Sequence, residues 1–133
     1  MRKEPPAGVG AAALLLALTG CASAPAAADV GLVARRFADA VRQQDGAAAC
    51  ALLSQRARES VESSGGACAD ELSRRELRVG TPGAATVWGG MAQVPAAPDT
   101  LFLGQYTNGW RVTGAGCRPR GEEMPYDCAI GGS

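Results

Sequence analysis

The chain has 133 residues, with 13 basic and 13 acidic side chains, and it contains no histidine. This length corresponds to one small domain, and the missing histidine removes the commonest general base and the commonest transition-metal ligand. No basic patch of the kind that nucleic acid requires is visible. We therefore expect a single domain with no nucleic-acid partner, no metal site and no cofactor.

The N-terminal residues have the layout of a bacterial export signal. Arg2 and Lys3 supply a positively charged start, and residues 9–18 are apolar except for Gly10. A run of this length is too short to cross the ~30 Å hydrocarbon core of a membrane as a helix, but it fits the apolar part of a signal peptide. We expect these residues to be removed on export.

Leu18-Thr19-Gly20-Cys21 directly follows the apolar run and resembles a bacterial lipobox. In that motif small residues let a peptidase cut before the cysteine, whose thiol then carries a diacylglyceryl group. Two or more acyl chains anchor a protein stably to a membrane. The alternative is an ordinary signal peptide cut at residues 22–24, with Cys21 incidental.

The lipobox predicts where the protein lies and how the chain is divided. We expect a lipid anchor on Cys21 that holds the protein on the extracytoplasmic face of a bacterial cell membrane, so the membrane is its first partner. The predicted parts are a signal peptide over residues 1–20, a flexible Ala/Ser/Pro tether over 21–28 and a domain over 29–133.

The first part of the domain has the pattern of short helices. Asp29 is a good N-cap, and apolar residues recur at steps of three and four from Val30 to Val41. This spacing predicts an amphipathic helix, which Asp45-Gly46 ends. Ser54 is placed to cap a later helix. The remaining predicted helices run over residues 47–53, 55–63 and 67–77.

The second part has the pattern of antiparallel strands. Residues 85–94 carry β-type side chains, with Gly89-Gly90 as a bulge or bend, and residues 100–106 alternate in a second strand. Asn108-Gly109 is the strongest hairpin signal of the chain, so a third strand follows it. Residues 116–133 have the composition of a loop-rich tail. Helices followed by an antiparallel meander indicate an α+β fold.

The helices and the strands must cover each other, because a helix with one apolar stripe and a sheet with one apolar face cannot bury these surfaces alone. Phe37 and Val41 stand about one turn apart on the first helix, and Trp110 opens the third strand. We therefore predict that Phe37 and Trp110 are buried on opposite sides of one helix–sheet interface.

Four cysteines remain after Cys21, and an even count in a small exported domain indicates a disulfide framework. Three connectivities are open, and we favour the local pairs Cys50–Cys68 and Cys117–Cys128. Each pair closes a short loop and stabilises the fold by roughly 3 kcal/mol in the chain-entropy model. The alternative is a metal site built from all four thiolates, which the lack of a Cys-x-x-Cys pair and of histidine disfavours.

Three stretches carry a resemblance: "AAACALLS" (residues 47–54) with a second cysteine eighteen positions after the first, "GWRVTGAGC" (109–117) and "PYDC" (125–128). Together they resemble a group of small actinobacterial lipoproteins of unknown function, over essentially the whole chain after the signal peptide. Those proteins in turn resemble the cone-shaped NTF2-like α+β fold, in which helices pack in the hollow of a curved antiparallel sheet. The resemblance implies this fold and no particular activity, because enzymes, binding modules and transport factors share it.

The sequence contains no Gly-rich phosphate loop, no Gly-x-Ser-x-Gly and no His-Glu-x-x-His motif. Asp70-Glu71 is a poor catalytic dyad, because adjacent helical residues do not share a face. Glu122-Glu123 is either a solvated pair or a calcium or catalytic site. Arg74-Arg75 with Arg78 is either a solvated helix end or a contact with anionic lipid headgroups.

Most of the aromatic residues lie in the predicted strands: Trp88, Phe102, Tyr106 and Trp110. They either form the core of the sheet or line the pocket that a cone-shaped fold can enclose. In the second case Tyr126 and Asp127, next to Cys128, would edge that pocket or cap a turn.

We expect a non-enzymatic domain that binds a protein partner or a small ligand, because the usual catalytic residue types are missing. An enzyme with Asp/Tyr acid–base chemistry would need a carboxylate buried among apolar residues, and Asp99 and Asp127 come nearest to this. A third alternative is a purely structural component of the cell envelope. A deep cavity that holds a carboxylate would favour the enzyme, a cavity without one would favour ligand binding, and no cavity would favour the structural component.

Overall fold

The computed structural model describes Lys3, Gly8, residues 24–122 and residues 125–132. Within these residues, four helices precede a five-stranded antiparallel sheet whose strands lie in sequence order. The predicted α+β class is confirmed. The helices are α1 (Ala24–Arg42), α2 (Gly46–Ala51), α3 (Gln55–Glu62) and α4 (Cys68–Arg74). The strands are β1 (Thr86–Trp88), β2 (Met91–Ala96), β3 (Asp99–Tyr106), β4 (Gly109–Pro119) and β5 (Tyr126–Gly131).

The first helix starts earlier than predicted. It begins at Ala24, so Asp29 lies inside it and the predicted N-cap at Asp29 is wrong. Residues 24–28, which their composition assigned to the tether, are helical because alanine has the highest helix propensity and Pro25 is compatible with a first helical turn. Cys21 lies outside the described residues, three positions before the start of α1.

Capping side chains define the short helices. Gln44 adopts a left-handed backbone with φ of 55°, which turns the chain after α1. Asp45 then begins α2, because its carboxylate accepts a hydrogen bond from the Ala48 N–H at 3.0 Å; it does not end α1 as predicted. Ser54 caps α3 as predicted, with its Oγ accepting a hydrogen bond from the Ala57 N–H at 3.2 Å.

The helix predicted over residues 67–77 is shorter in the structure, since α4 ends at Arg74. Arg75 has an extended backbone, and its guanidinium donates hydrogen bonds to the carbonyl of Ala129 in β5 and, at 3.4 Å, to that of Val61 in α3. The chain therefore leaves the helix where this side chain reaches carbonyl groups of two other elements.

Gly89-Gly90, predicted as a bulge or bend within residues 85–94, forms a turn that divides these residues between two strands. β1 and β2 pair on either side of this turn, with Trp88 opposite Met91. Gly89 has φ of 58°, which glycine adopts without the penalty that a side chain would bring. The two glycines thus let the chain reverse within two residues.

The predicted hairpin between β3 and β4 is present, but its loop lies one residue earlier. Tyr106 faces Gly109 across the loop residues Thr107 and Asn108. Neither loop residue has a positive φ, whereas Gly109 has φ of 99°. This pattern fits a type I turn followed by a left-handed glycine, which is another common way to join two antiparallel strands.

The loop-rich tail predicted over residues 116–133 is wrong. β4 continues to Pro119, and β5 pairs along it with Cys117 directly opposite Cys128. Glycine and proline on both sides of these cysteines weaken the strand pattern of the sequence. The disulfide fixes the register that the local pattern leaves open.

Both predicted disulfides are formed. Cys50–Cys68 joins α2 to the start of α4 with an S–S distance of 2.05 Å, and Cys117–Cys128 joins β4 to β5 with an S–S distance of 2.02 Å. All four thiols are consumed in these bonds, so the alternative of a four-thiolate metal site does not apply.

Phe37 and Trp110 are both buried, as predicted, and belong to one apolar cluster. α1 contacts β1, β2 and β4, and alternate residues of the strands contribute to the same cluster. One face of the sheet is therefore covered by helices. Its buried side chains in β2, β3 and β4 include Ala92, Val94, Ala96, Leu101, Leu103, Trp110 and Val112.

A segment between two helices covers the free edge of β4. The Val112 N–H donates a hydrogen bond to the Leu52 carbonyl at 2.8 Å, and the Ser54 N–H donates one to the Val112 carbonyl at 2.9 Å. Leu53 thereby forms a parallel bridge with Val112. This short segment takes the place of a neighbouring strand where β5 does not reach.

The edges of β2 and β5 are covered in the same manner. Beyond the end of β1, the N–H groups of Gly80 and Gly83 donate hydrogen bonds to carbonyls of β2 at 2.9 and 2.7 Å. On β5, Arg75 binds the Ala129 carbonyl, and the Gly131 N–H donates to Ser60 Oγ at 3.4 Å. Backbone groups at the sheet edges are thus hydrogen-bonded by parts of the chain outside the strands.

Candidate functional site

The face of the sheet that points away from the helices carries most of the exposed large apolar side chains. Trp88 stands opposite Met91, which in turn stands opposite Gly104 in β3. Trp88 is 45% exposed, Met91 56% and Tyr106 47%. Large apolar residues that lie side by side and in solvent on one face are the usual sign of a contact surface.

Tyr106 lies over Gly104 and extends this row. A Cβ atom at Gly104 would be 3.1 Å from Tyr106 Cε2 and 3.4 Å from its hydroxyl oxygen. The missing side chain thus leaves the space in which the tyrosine ring rests on the sheet. Through this packing Tyr106 lies beside the row that Trp88 and Met91 form.

The neighbouring row carries a second aromatic pair. Phe102 stands opposite Gln93, and its ring meets that of Tyr126 edge-on with the ring centroids 5.0 Å apart. Gln93 Nε2 donates a hydrogen bond to the Tyr126 hydroxyl at 3.2 Å. These contacts hold the rings of Phe102 and Tyr126 in fixed positions on the face.

Five residues make up this surface, which we call the aromatic strip: Trp88, Met91, Phe102, Tyr106 and Tyr126. The outward-facing positions of β1, β2 and β3 are all described, and none of them is acidic. Arg111 of β4 stands opposite Gly104, and its guanidinium donates hydrogen bonds to the carbonyls of Ala51 at 2.6 Å and Asn108 at 3.2 Å. The surface is therefore apolar, aromatic and free of negative charge over these three strands.

The structure divides the four residues that were predicted to line a pocket. Trp88, Phe102 and Tyr106 lie on the open face, whereas Trp110 stands opposite Gln105 and points into the helix-covered core. Tyr126, predicted beside that pocket, joins the open face. The three outward rings form a surface and do not enclose a cavity with Trp110.

Met91 and Gln93 also belong to this surface, although neither was predicted from the sequence. A reading of Gly89-Gly90 as a two-residue turn makes Trp88 and Met91 cross-strand partners, because residues that flank such a turn pair directly. The two glycines therefore indicate, in the sequence itself, that Trp88 and Met91 are neighbours.

A separate groove of about 390 Å³ contains Asp99, the buried carboxylate, and Asp127. Asp99 Oδ2 accepts a hydrogen bond from the Arg78 backbone N–H at 2.9 Å, and Oδ1 accepts one from Arg118 Nε at 3.3 Å. Asp127 is exposed at the rim. Both oxygens of the Asp99 carboxylate thus accept hydrogen bonds. These bonds connect β3, which carries Asp99, to the segment after α4 and to β4.

Asp99→Ala should lower the free energy of unfolding by about 1.5–3 kcal/mol, the range for hydrogen bonds to charged groups. The substitution leaves the partly buried Arg78 N–H without its acceptor. Denaturant titration measures the loss, and Asp127→Ala in the same groove is the matched control, expected within about 0.5 kcal/mol of the wild type. Equal losses in the two variants would contradict the assigned role of Asp99.

A second groove, of about 340 Å³, lies between the end of α1 and the end of α4. Ala40, Val41 and Leu72 supply its apolar part, and it shares Glu76 and Arg78 with the groove at Asp99. No cluster of three or more metal-binding side chains occurs in residues 24–122 and 125–132. Neither groove combines a free carboxylate with an apolar enclosure.

The weaker charged candidates are engaged in local contacts. Glu71 Oε1 pairs with Arg74 at 3.2 Å, and its other oxygen accepts a hydrogen bond from Ser64 at 2.8 Å. Arg75 binds the carbonyls named above. Glu122 is exposed, while Glu123 lies outside the described residues.

In comparisons with known proteins, no family model, no curated protein and no solved structure matches this chain. Within the described residues, none of the helices is both long and apolar enough to cross a membrane. The residues over which the signal peptide and the lipid attachment at Cys21 were predicted, except Lys3 and Gly8, lie outside that part of the chain.

Proposed function

We propose that this protein is a lipid-anchored extracytoplasmic domain that binds through the aromatic strip and has no catalytic activity. The observation that carries the binding role is the exposure of Trp88, Met91 and Tyr106 next to one another on the uncovered face of the sheet. Aromatic residues and methionine are enriched at contact surfaces, whereas acidic residues are depleted there.

The location rests on the lipobox Leu18-Thr19-Gly20-Cys21 after an apolar run with a positively charged start. The two disulfides support an oxidising compartment, because such bonds form and persist outside the cytoplasm. The arrangement of helices on one face of an antiparallel sheet supports an NTF2-like fold, which we retain as part of the proposal.

The enzyme alternative would require a buried carboxylate that is free to exchange a proton with a substrate. Asp99 is buried, but its two oxygens already bind Arg78 and Arg118. The two grooves are open and carry several charged residues. These observations favour a structural role for Asp99 and disfavour the enzyme. The binding role rests instead on the exposed residues of the aromatic strip.

One experiment in a bacterial host tests the location and the binding surface together. A photo-crosslinking phenylalanine analogue replaces Met91 in the full chain, in a Cys21 and in a Cys21→Ala background, and the cells receive an alkyne-tagged palmitate. We expect fatty-acid labelling and membrane fractionation with Cys21 only. We also expect crosslinked adducts from position 91 when Cys21 is present.

The same analogue at Leu32 is the matched control, because this side chain is similarly exposed, at 41%, but lies on α1. Adducts should form from position 91 and not from position 32. Equal yields at both positions would contradict the binding surface. Labelling and membrane fractionation that persist in Cys21→Ala would contradict the lipid attachment.

A further inference from the structure

We propose that the aromatic strip rests on the lipid interface of the membrane that holds the anchor. This inference depends on the proposed lipid attachment at Cys21 and names the partner of the same surface. Cys21 precedes Ala24, the first residue of α1, by three positions. Three residue steps span at most about 11 Å in any conformation, so the start of α1 must lie close to the membrane.

The direction of α1 places its start at the end of the sheet that carries Trp88, Met91 and Tyr106 of the strip. Ala40 and Val41, near the end of α1, line a groove with Arg78, whose N–H binds Asp99 at the start of β3. α1 also contacts β1, which is only three residues long and lies at the other end of β2. The C-terminal part of α1 is therefore at the Asp99 end, and its N-terminal part extends towards the end with Trp88.

The lengths of the elements agree with this placement. α1 has 19 residues, about 28 Å at 1.5 Å per residue, and β3 has 8 residues, about 27 Å at 3.4 Å per residue. The helix is thus long enough to reach from one end of the sheet to the other. Trp88, Met91 and Tyr106 lie at the end of the sheet opposite Asp99, next to the turns that follow β1 and β3.

The chemistry of the strip fits a lipid interface. Tryptophan and tyrosine concentrate where headgroups meet acyl chains, because one end of each ring is apolar and the other forms hydrogen bonds. The absence of acidic residues from the outward positions of β1, β2 and β3 avoids repulsion by lipid phosphates. A short tether keeps this surface within reach of the membrane at all times, whereas a protein partner would have to diffuse to it.

Trp88 and Trp110 are the two tryptophans of the chain, so their emission separates the strip from the core. The lipidated protein is purified and reconstituted into phosphatidylethanolamine/phosphatidylglycerol vesicles with brominated acyl chains, which quench only tryptophans at or below the interface. We expect a blue shift and loss of most of the Trp88 emission, with Trp110 unquenched. The variant Trp110→Phe reports the emission of Trp88 alone, and Trp88→Phe reports that of Trp110 alone. Because Trp110 is buried, its substitution alters the core. The emission of Trp88 is therefore also obtained as the wild-type spectrum minus the spectrum of Trp88→Phe, in which the core is intact.

Each outcome decides between the alternatives. If aqueous iodide quenches Trp88 in vesicles as well as it does in detergent, and brominated lipid does not, the strip faces solvent and the inference is overturned in favour of a protein partner. The mass of the N-terminal peptide reports the anchor separately. Lipid on Cys21 with an unquenched Trp88 contradicts this inference alone, whereas an unmodified Cys21 contradicts the proposed location as well.

Discussion

Phe37→Ala should lower the free energy of unfolding by about 3–5 kcal/mol, the range for large aromatic deletions in protein cores. The Phe37 side chain on α1 is fully buried and belongs to the apolar cluster between the helices and the sheet. Removal of the ring loses the favourable free energy of its transfer from water to the core. It also leaves a cavity between the helices and the sheet, which adds to the loss of stability. The loss is a large part of the total stability of a small domain, about 5–15 kcal/mol.

Denaturant titration of the purified domain measures this loss from the midpoint of the unfolding curve and from the slope of the free energy against denaturant concentration. Leu32→Ala on the same helix is the matched control, because Leu32 is exposed and surface substitutions change stability by less than about 0.5 kcal/mol. A loss below about 1 kcal/mol for Phe37→Ala would place this side chain in solvent and contradict the packing of α1 on the sheet.

Removal of the Cys50–Cys68 disulfide by the double substitution to alanine should cost about 3 kcal/mol, the chain-entropy value for a loop of this length. The bond closes 18 residues and joins α2 to α4, two helices of six and seven residues. Helices this short are not stable alone. We therefore expect the loss of the bond to release both of them, with a lower melting temperature and faster amide exchange in residues 46–74.

The double variant that lacks Cys117–Cys128 provides the comparison. Its loop of 11 residues gives a similar entropy term, but β4 and β5 remain joined by their backbone ladder. Amide exchange should therefore increase at the edge of the sheet and not in the helices. Exchange that rises equally over both regions in both variants would contradict independent roles for the two bonds.

The elements that the sequence predicted well are those with a local chemical signal. Ser54 caps α3 because its side chain binds an N–H three residues away, and such short-range contacts can be identified from sequence alone. The cysteine pairs were predicted because each closes a short loop. The burial of Phe37 followed from its spacing on an amphipathic helix.

The errors occurred where tertiary contacts override local patterns. β5 is flanked by glycine and proline, so its local composition favours a loop, and it is a strand because its backbone pairs with that of β4. Gly89-Gly90 was predicted as a bulge or bend, and only the pairing of β1 with β2 shows that the chain reverses there. Trp88 and Trp110 lie on opposite faces of the sheet. Which of them is exposed depends on how the strands pair on either side of the two turns.

The hydrogen bonds along the sheet edges have a consequence for association between copies of the protein. An unpaired sheet edge is a template for association between chains, because its N–H and C=O groups can pair with a strand of another copy. Here Leu52–Ser54 covers β4, while Ser60 and Arg75 occupy the edge of β5. These contacts occupy backbone groups at which the strands of a neighbouring copy would otherwise pair, so β4 and β5 should resist association through these edges.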